Sequence, residues 1–435
     1  MLRQIDARSW PTSESARIRS EAPRGLSNQQ LVAEVEPIVA AVRERGLAAA
    51  IEYSLKFDGV AADPVRVTNE AISSALKNCD AEVVAALQTA IARVTKVHES
   101  QMSAARDIET NNGGRVTNRW VPIERVGLYV PAGGAIYPSS VVMNAVPAQI
   151  AGVKSIAVAS PPQRDNNSLP HPLVLATCAL LGIDEVYAIG GAQAIALLAF
   201  GDKTIKPVDL ITGPGNAYVA GAKRLVNGVV GIDSEAGPTE ITIVADDTAN
   251  AQVIAADLIA QAEHDPASAA VLITNSASLI EKVNEQLGEL ARDAKHQERV
   301  KTALTGTQSA AVLTESIEQS LALADAYASE HLHLHTKNAK AQARKINHAG
   351  AIFIGESSPV ALGDYLAGSN HVLPTAATAR FASGISVFTF LRLITEVDFT
   401  ADELAALSEQ IQTLARTEDL PAHADSIAAR ESIAP

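Results

Sequence analysis

From Val121 onward the chain alternates short β-rich runs with helical segments, which confines it to an α/β fold, because strands of a parallel sheet need helical crossovers between them. Val126-Tyr129, Ser155-Ala159, Glu185-Ile189, Asp209-Thr212 and Val229-Ile232 read as strands, with helices at about 141–151, 171–181, 192–199 and 216–226 in the gaps. A second series follows, with strands at Glu240-Val244, Ala270-Thr274, Ala310-Leu313, Leu332-Leu334 and Ala351-Ile354. Two α/β units are expected. Residues 1–26 read as polar and irregular, the stretch from Leu31 as helical with stops at Gly46 and Gly59, and Ala81 to Glu99 as one long helix. After Phe388 the chain reads as almost wholly helical to Arg430, too short for its own core and so an arm packed on something else.

At 435 residues and 47% hydrophobic content the chain can bury a large core, more than one ordinary domain needs. Its first residues lack an apolar run of signal-peptide type, and Asp184 and Glu185 interrupt the most apolar stretch, so neither export nor a membrane span is expected. Cys79 and Cys178, far apart, point to a reducing compartment rather than a disulfide scaffold or a thiolate metal cluster. A formal net charge of −14 disfavours nucleic acid and anionic membranes.

Polar clusters stand out in this apolar background. Gln261-Ala262-Glu263-His264-Asp265 ends a helical run, and its Gln and His, three residues apart, share a helix face as two metal ligands can, although such pairs also occur on solvated faces. Asp364 and His423 are plausible completions of that set, with a turn residue and a helix cap as their plainer alternatives. Adjacent Glu330 and His331 offer two bases of different pKa. Strand alternation puts His331, His333 and His335 on one face, with a solvent-facing polar stripe as the plainest reading of His333 and His335. Pro131-Ala132-Gly133-Gly134, Gly190-Gly191-Ala192-Gln193 and Gly213-Pro214-Gly215-Asn216 are turns that let backbone approach a ligand, but none forms the dinucleotide fingerprint G-x-G-x-x-G.

With these motifs, and with Val126-Gly127-Leu128-Tyr129-Val130-Pro131, Tyr137-Pro138-Ser139-Ser140, Ala236-Gly237-Pro238 and Asn370-His371-Val372-Leu373-Pro374-Thr375 in the same order, nearly the whole chain resembles the histidinol dehydrogenase family. The resemblance implies two Rossmann-like parallel-sheet domains, a short N-terminal segment (1–26) and a C-terminal helical arm (385–435). Residues 27–129 with 238–384 are expected to form the domain of metal and catalytic residues, and 130–237 the one that contacts NAD+. It further implies a cytoplasmic homodimer with shared active sites that oxidises L-histidinol to L-histidine with two NAD+ and one Zn2+ per subunit. The implied ligands are Gln261, His264, Asp364 and His423, and the implied bases His331 and Glu330. Substrate contacts fall on the same ligands and His331 with Thr239, His371 and Glu418, and cofactor contacts on Tyr129, Gln193 and Asn216. The arm is expected to carry Glu418 and His423 into the partner's site. Departures are Thr239 for serine, Ala132 for glycine, Ser369 for proline, Asp419 for glycine, and His333 for an acidic residue. Thr239 and Asp419 keep open a same-fold dehydrogenase acting on another small polar alcohol.

Overall fold

The structure, a computed structural model, describes residues 1–23, 28–102, 104, 106–110, 113–132, 135–235 and 237–431. Gly133, Gly134 and Ala236 of the motifs above lie outside the described residues. In chain order the strands are β1 (Arg3–Asp6), β2 (Arg106–Glu109), β3 (Arg115–Pro122), β4 (Arg125–Tyr129), β5 (Ser155–Ser160), β6 (Val186–Ala188), β7 (Leu210–Thr212) and β8 (Gly231–Ile232). They continue as β9 (Glu240–Ala245), β10 (Ala269–Thr274), β11 (Ala310–Leu313), β12 (His331–His335), β13 (Ala351–Ile354) and β14 (Leu391–Asp398). Two compact units result, one of Met1–Gln101 with Glu124–Phe390, the other of Met102–Ile123 with the chain from Leu391 onward.

The first unit holds two parallel sheets, ordered β6-β5-β4-β7-β8 and β1-β11-β10-β9-β12-β13. In each, the first strand of the series lies centrally, the next two add on one side, and the chain then crosses to the other. Every residue of β9 and β10 is buried, as expected for strands covered by helices on both faces. The N-terminal residues, read as irregular, instead supply β1, which pairs along β11 from Arg3↔Ala310 to Asp6↔Leu313. Its four residues bury only Ile5, too weak a pattern to mark a strand. Helices Asn28–Arg45 and Leu47–Phe57 place Val35, Val42 and Ala50 in one core with Ile195, Leu198 and Ile211. Residues 28–57 and β4 therefore go with the sheet of residues 130–237, although the sequence reading groups them with the other sheet.

In the smaller sheet the strand order reverses between β4 and β7. Gly213, just past β7, has φ 116°, and a Cβ there would stand 2.0 Å from the Tyr129 carbonyl oxygen, so no other residue fits. Its N–H donates to Asp233 Oδ2 at 2.8 Å, and its carbonyl accepts from Lys223 Nζ at 3.0 Å. Lys223 and Asp233 also pair directly, with side chains 2% and 3% exposed.

The second unit contains an antiparallel sheet, β14-β3-β2, and the helices Ala401–Thr417 and Pro421–Glu431. Residues 391–398, read as helical, are a strand that pairs with β3 along its full length, favoured by β-branched Ile394, Thr395 and Val397. The helical part of the arm starts at Ala401. Asp419 has φ 57°, the left-handed conformation that glycine adopts most freely and that Asp tolerates better than most residues.

Lys223→Met is expected to lose about 3–5 kcal/mol, because it strands a buried Asp233 carboxylate; urea unfolding measures it, and a loss under 1 kcal/mol contradicts the clamp.

Candidate active site

The helix Ala251–Ala262 leaves the carboxyl end of β9 and returns the chain to the sheet's amino edge. Asn250 caps it by accepting from the Gln252 N–H at 2.9 Å. Gln261 lies in its last turn, and His264 follows in the turn beyond the Glu263 cap rather than on a continuing helix face. At that edge, Thr239 precedes β9, and Glu330 precedes His331, the first residue of β12. The Gln261 amide donates to Thr239 Oγ1 at 2.9 Å, and the Thr239 hydroxyl donates to Glu330 Oε2 at 2.6 Å. The Glu240 N–H donates to the same oxygen at 2.9 Å.

His331 is 4% exposed, and its Nδ1 lies 3.1 Å from the Glu240 carbonyl oxygen. A carbonyl only accepts, so Nδ1 carries the proton and Nε2 keeps a lone pair. That Nε2 is buried without a hydrogen-bond partner and faces Asp364 Oδ1 at 3.9 Å. Asp364 is brought there by the helix Val360–Tyr365, where a Cβ on Gly363 would meet the Phe353 ring at 2.6 Å. His371 donates from Nδ1 to the Asp364 carbonyl at 3.0 Å and accepts at Nε2 from the Ser140 hydroxyl at 3.2 Å.

Burial dominates the electrostatics. It pushes the Glu330 pKa well above its ordinary value, against the Thr239 and Glu240 hydrogen bonds that favour the carboxylate. It lowers His264, His331 and His371, against attraction from Asp364 in all three. The site is thus lined with neutral imidazoles, ready to accept protons or bind a cation.

Tyr129, Gln193 and Asn216 gather at the carboxyl edge of the smaller sheet, where strand order reverses and α/β proteins hold ligands. Here they also have structural partners. The Tyr129 hydroxyl accepts from the Gly191 N–H at 3.0 Å, and burial lifts its pKa to about 12. Asn216 Oδ1 caps the helix Ala217–Val226 by accepting from Tyr218 and Val219, both at 3.1 Å. Gln193 is 1% exposed, its amide 3.5 Å from Ser54 Oγ. Glu418 and His423 belong to the second unit, at the end of one helix and within the next.

Ser140 lay inside a motif without a role, and Glu240 had none. The hydroxyl of the first orients His371, and the backbone carbonyl of the second orients His331.

The expected solvent-facing stripe is wrong: His333 and His335 are 0% and 2% exposed. They face Asp257 on the crossover helix, because both faces of β12 are covered. Among the described residues, Asp257, His333 and His335 are the one group of three His, Cys or carboxylate donors close enough to share an ion. That group includes none of Gln261, His264, Asp364 and His423.

The sequence model of the histidinol dehydrogenase family matches residues 22–431. Histidinol dehydrogenases of Nocardia farcinica and Thermobifida fusca are 52% and 51% identical, over 99% of this chain and 98% of each relative. A crystal structure of histidinol dehydrogenase from Elizabethkingia anophelis superposes with a TM-score of 0.91 at 33% identity, covering 99% of this chain and 98% of that one. An acetylating aldehyde dehydrogenase from Geobacillus thermoglucosidasius shares the fold, with a TM-score of 0.50 at 14% identity over 89% of this chain and 97% of its own.

The two kinds of buried group set opposite pH dependences of stability. The depressed histidines stabilise the fold above their ordinary value of 6.5, and that contribution is lost as pH falls through their folded pKa values. Glu330, raised, contributes below its ordinary 4.5 and loses that contribution as pH rises through its folded pKa. Glu330→Gln is expected to gain stability over the parent as pH rises above about 4.5, read as the difference between unfolding curves; a pH-independent difference would falsify burial as the cause.

Proposed function

Because the chain belongs to the histidinol dehydrogenase family, we propose that it oxidises L-histidinol through bound L-histidinal to L-histidine, reducing two NAD+ per turnover. It is an oxidoreductase of histidine biosynthesis. The observation that carries the detailed reading is the tautomer of His331, whose Glu240 contact leaves Nε2 as a bare base in a buried site. In the first oxidation His331 Nε2 takes the hydroxyl proton of the alcohol as its carbon loses hydride. In the second, Glu330 removes a proton from the water that adds to the aldehyde, and the hydrate then loses the second hydride. Burial makes the Glu330 carboxylate a stronger base once ionised, and its Thr239 and Glu240 hydrogen bonds fix the oxygen that acts.

Gln261, His264 and Asp364 are one amide, one imidazole kept neutral by burial and one carboxylate, a donor set that fits zinc. One zinc per subunit, held by these residues, would supply a Lewis-acidic anchor for a nitrogen-rich substrate, and a bound nicotinamide would supply the hydride acceptor. Thr239, His371 and Glu418 add substrate contacts, and Tyr129, Gln193 and Asn216 receive the cofactor where strand order reverses. In a homodimer, Glu418 and His423 complete the metal and substrate shell of the other copy. No helix among the described residues is long and apolar enough to cross a membrane; we place the enzyme in the cytoplasm, with no nucleic-acid partner.

Limiting L-histidinol is expected to yield two NADH per molecule consumed, with activity lost on chelation. Glu330→Gln should drop the yield toward one, and His331→Asn should lower kcat by roughly 10²–10⁴-fold. A yield of one from the unaltered enzyme sinks the four-electron reading, and full activity in chelator sinks the metal.

A further inference from the structure

The opposite, carboxyl half of the larger sheet holds a cluster that this reaction does not use. His335 ends β12, about 13 Å along the strand from His331 at 3.3 Å per residue. β9 and β12 are the neighbours at which this sheet's strand order reverses, so the carboxyl end between them is where an α/β sheet offers a ligand crevice. We propose that Asp257, His333 and His335 form a second divalent-metal site of zinc type, separate from the active site.

The donor atoms make a nearly regular triangle. His333 Nδ1 lies 3.2 Å from Asp257 Oδ2 and 3.0 Å from His335 Nε2, and the third side is 3.5 Å. Ligands 2.0–2.1 Å from a tetrahedral zinc stand about 3.3–3.4 Å apart, so one ion above this face meets all three at bonding distance.

Proton counting points the same way. His333 Nε2 lies 3.0 Å from the Gly355 carbonyl oxygen, so Nε2 holds the ring proton and Nδ1 presents a lone pair to Asp257. Asp257 Oδ2 is buried, and the nearest ring nitrogen able to donate is His335 Nε2, which lies 3.0 Å from His333 Nδ1 and 3.5 Å from Asp257 Oδ2. One proton on His335 Nε2 therefore has to serve both the His333 Nδ1 lone pair and the Asp257 carboxylate, which stand 3.2 Å apart. A cation in place of that shared proton would be met by all three donor atoms at once, and the Nε2–H to carbonyl bond is the usual brace behind a metal-bound histidine. Two imidazoles and one carboxylate suit zinc, cobalt or nickel rather than calcium or magnesium. Of the three, Asp257 alone keeps a partly exposed side chain, at 14%.

The test strips the full-length protein of metal, refills it with cobalt, and counts ions by mass spectrometry while recording the visible spectrum. The unaltered chain is expected to hold two cobalt ions, with the intense absorption of a tetrahedral ion. His333→Gln and Asp257→Asn should each lower the count by one, whereas His264→Ala should lower it by one and keep that absorption. A count that neither His333→Gln nor Asp257→Asn changes overturns the second site, even when His264→Ala empties the first. If both triad variants fail to fold, His264→Ala decides, since loss of its tetrahedral absorption overturns the proposal and retention supports it. A count that stays at two in His264→Ala argues against zinc in the active site and leaves the triad standing.

Discussion

A carboxylate buried between two strands must find donors, and at Glu330 the available ones are the Thr239 hydroxyl and the Glu240 N–H of the neighbouring strand. Those bonds hold only with β12 and β9 in their present register, His331 opposite Ile241. A slip of one residue turns every β12 side chain to the other face, taking His331 away from the site and His333 away from Asp257. The same register sets His331 Nδ1 on the Glu240 carbonyl and so decides which nitrogen is a base. Satisfying one buried acid thus fixes both strand alignment and the His331 tautomer.

The two parallel sheets share one strand order but use opposite edges. In the smaller sheet the cofactor candidates stand at carboxyl ends, as the topology favours. In the larger sheet the catalytic candidates stand at amino ends, because a crossover helix must bring the chain back there, and its last turn carries Gln261 with it. The edges are tied by His371, which reaches Ser140 on the helix after β4, and by Asn370, whose amide donates to the Met143 carbonyl at 2.6 Å. These two contacts join the segment beside Asp364 to the helix that follows β4.

Both strand series were legible in sequence because strands buried on two faces read as continuous apolar runs, such as Ala269–Thr274. β1 and β14 were not, since edge and exposed strands lose that contrast. Periodicity revealed that the helices of residues 28–57 have a buried face but not which sheet covers it. It also put three histidines of β12 on one face without saying whether that face meets water or a helix. The candidate ligands were visible as side chains, whereas the Glu240 carbonyl that orients His331 is backbone and has no signature in sequence.

The crossover helix Ala251–Ala262 serves two polar centres. Its packing rests on Ile254, Ala255 and Leu258, apolar contacts that bury area without specifying rotation about the axis. Asp257 and Gln261, one turn apart on one face, meet polar partners, Asp257 standing 3.2 Å from His333 Nδ1 and Gln261 donating to Thr239. The Gln261 bond to Thr239 is directional and so adds a constraint on rotation that the apolar face alone does not supply. Whatever occupies the space between Asp257, His333 and His335 therefore also bears on where Gln261 points.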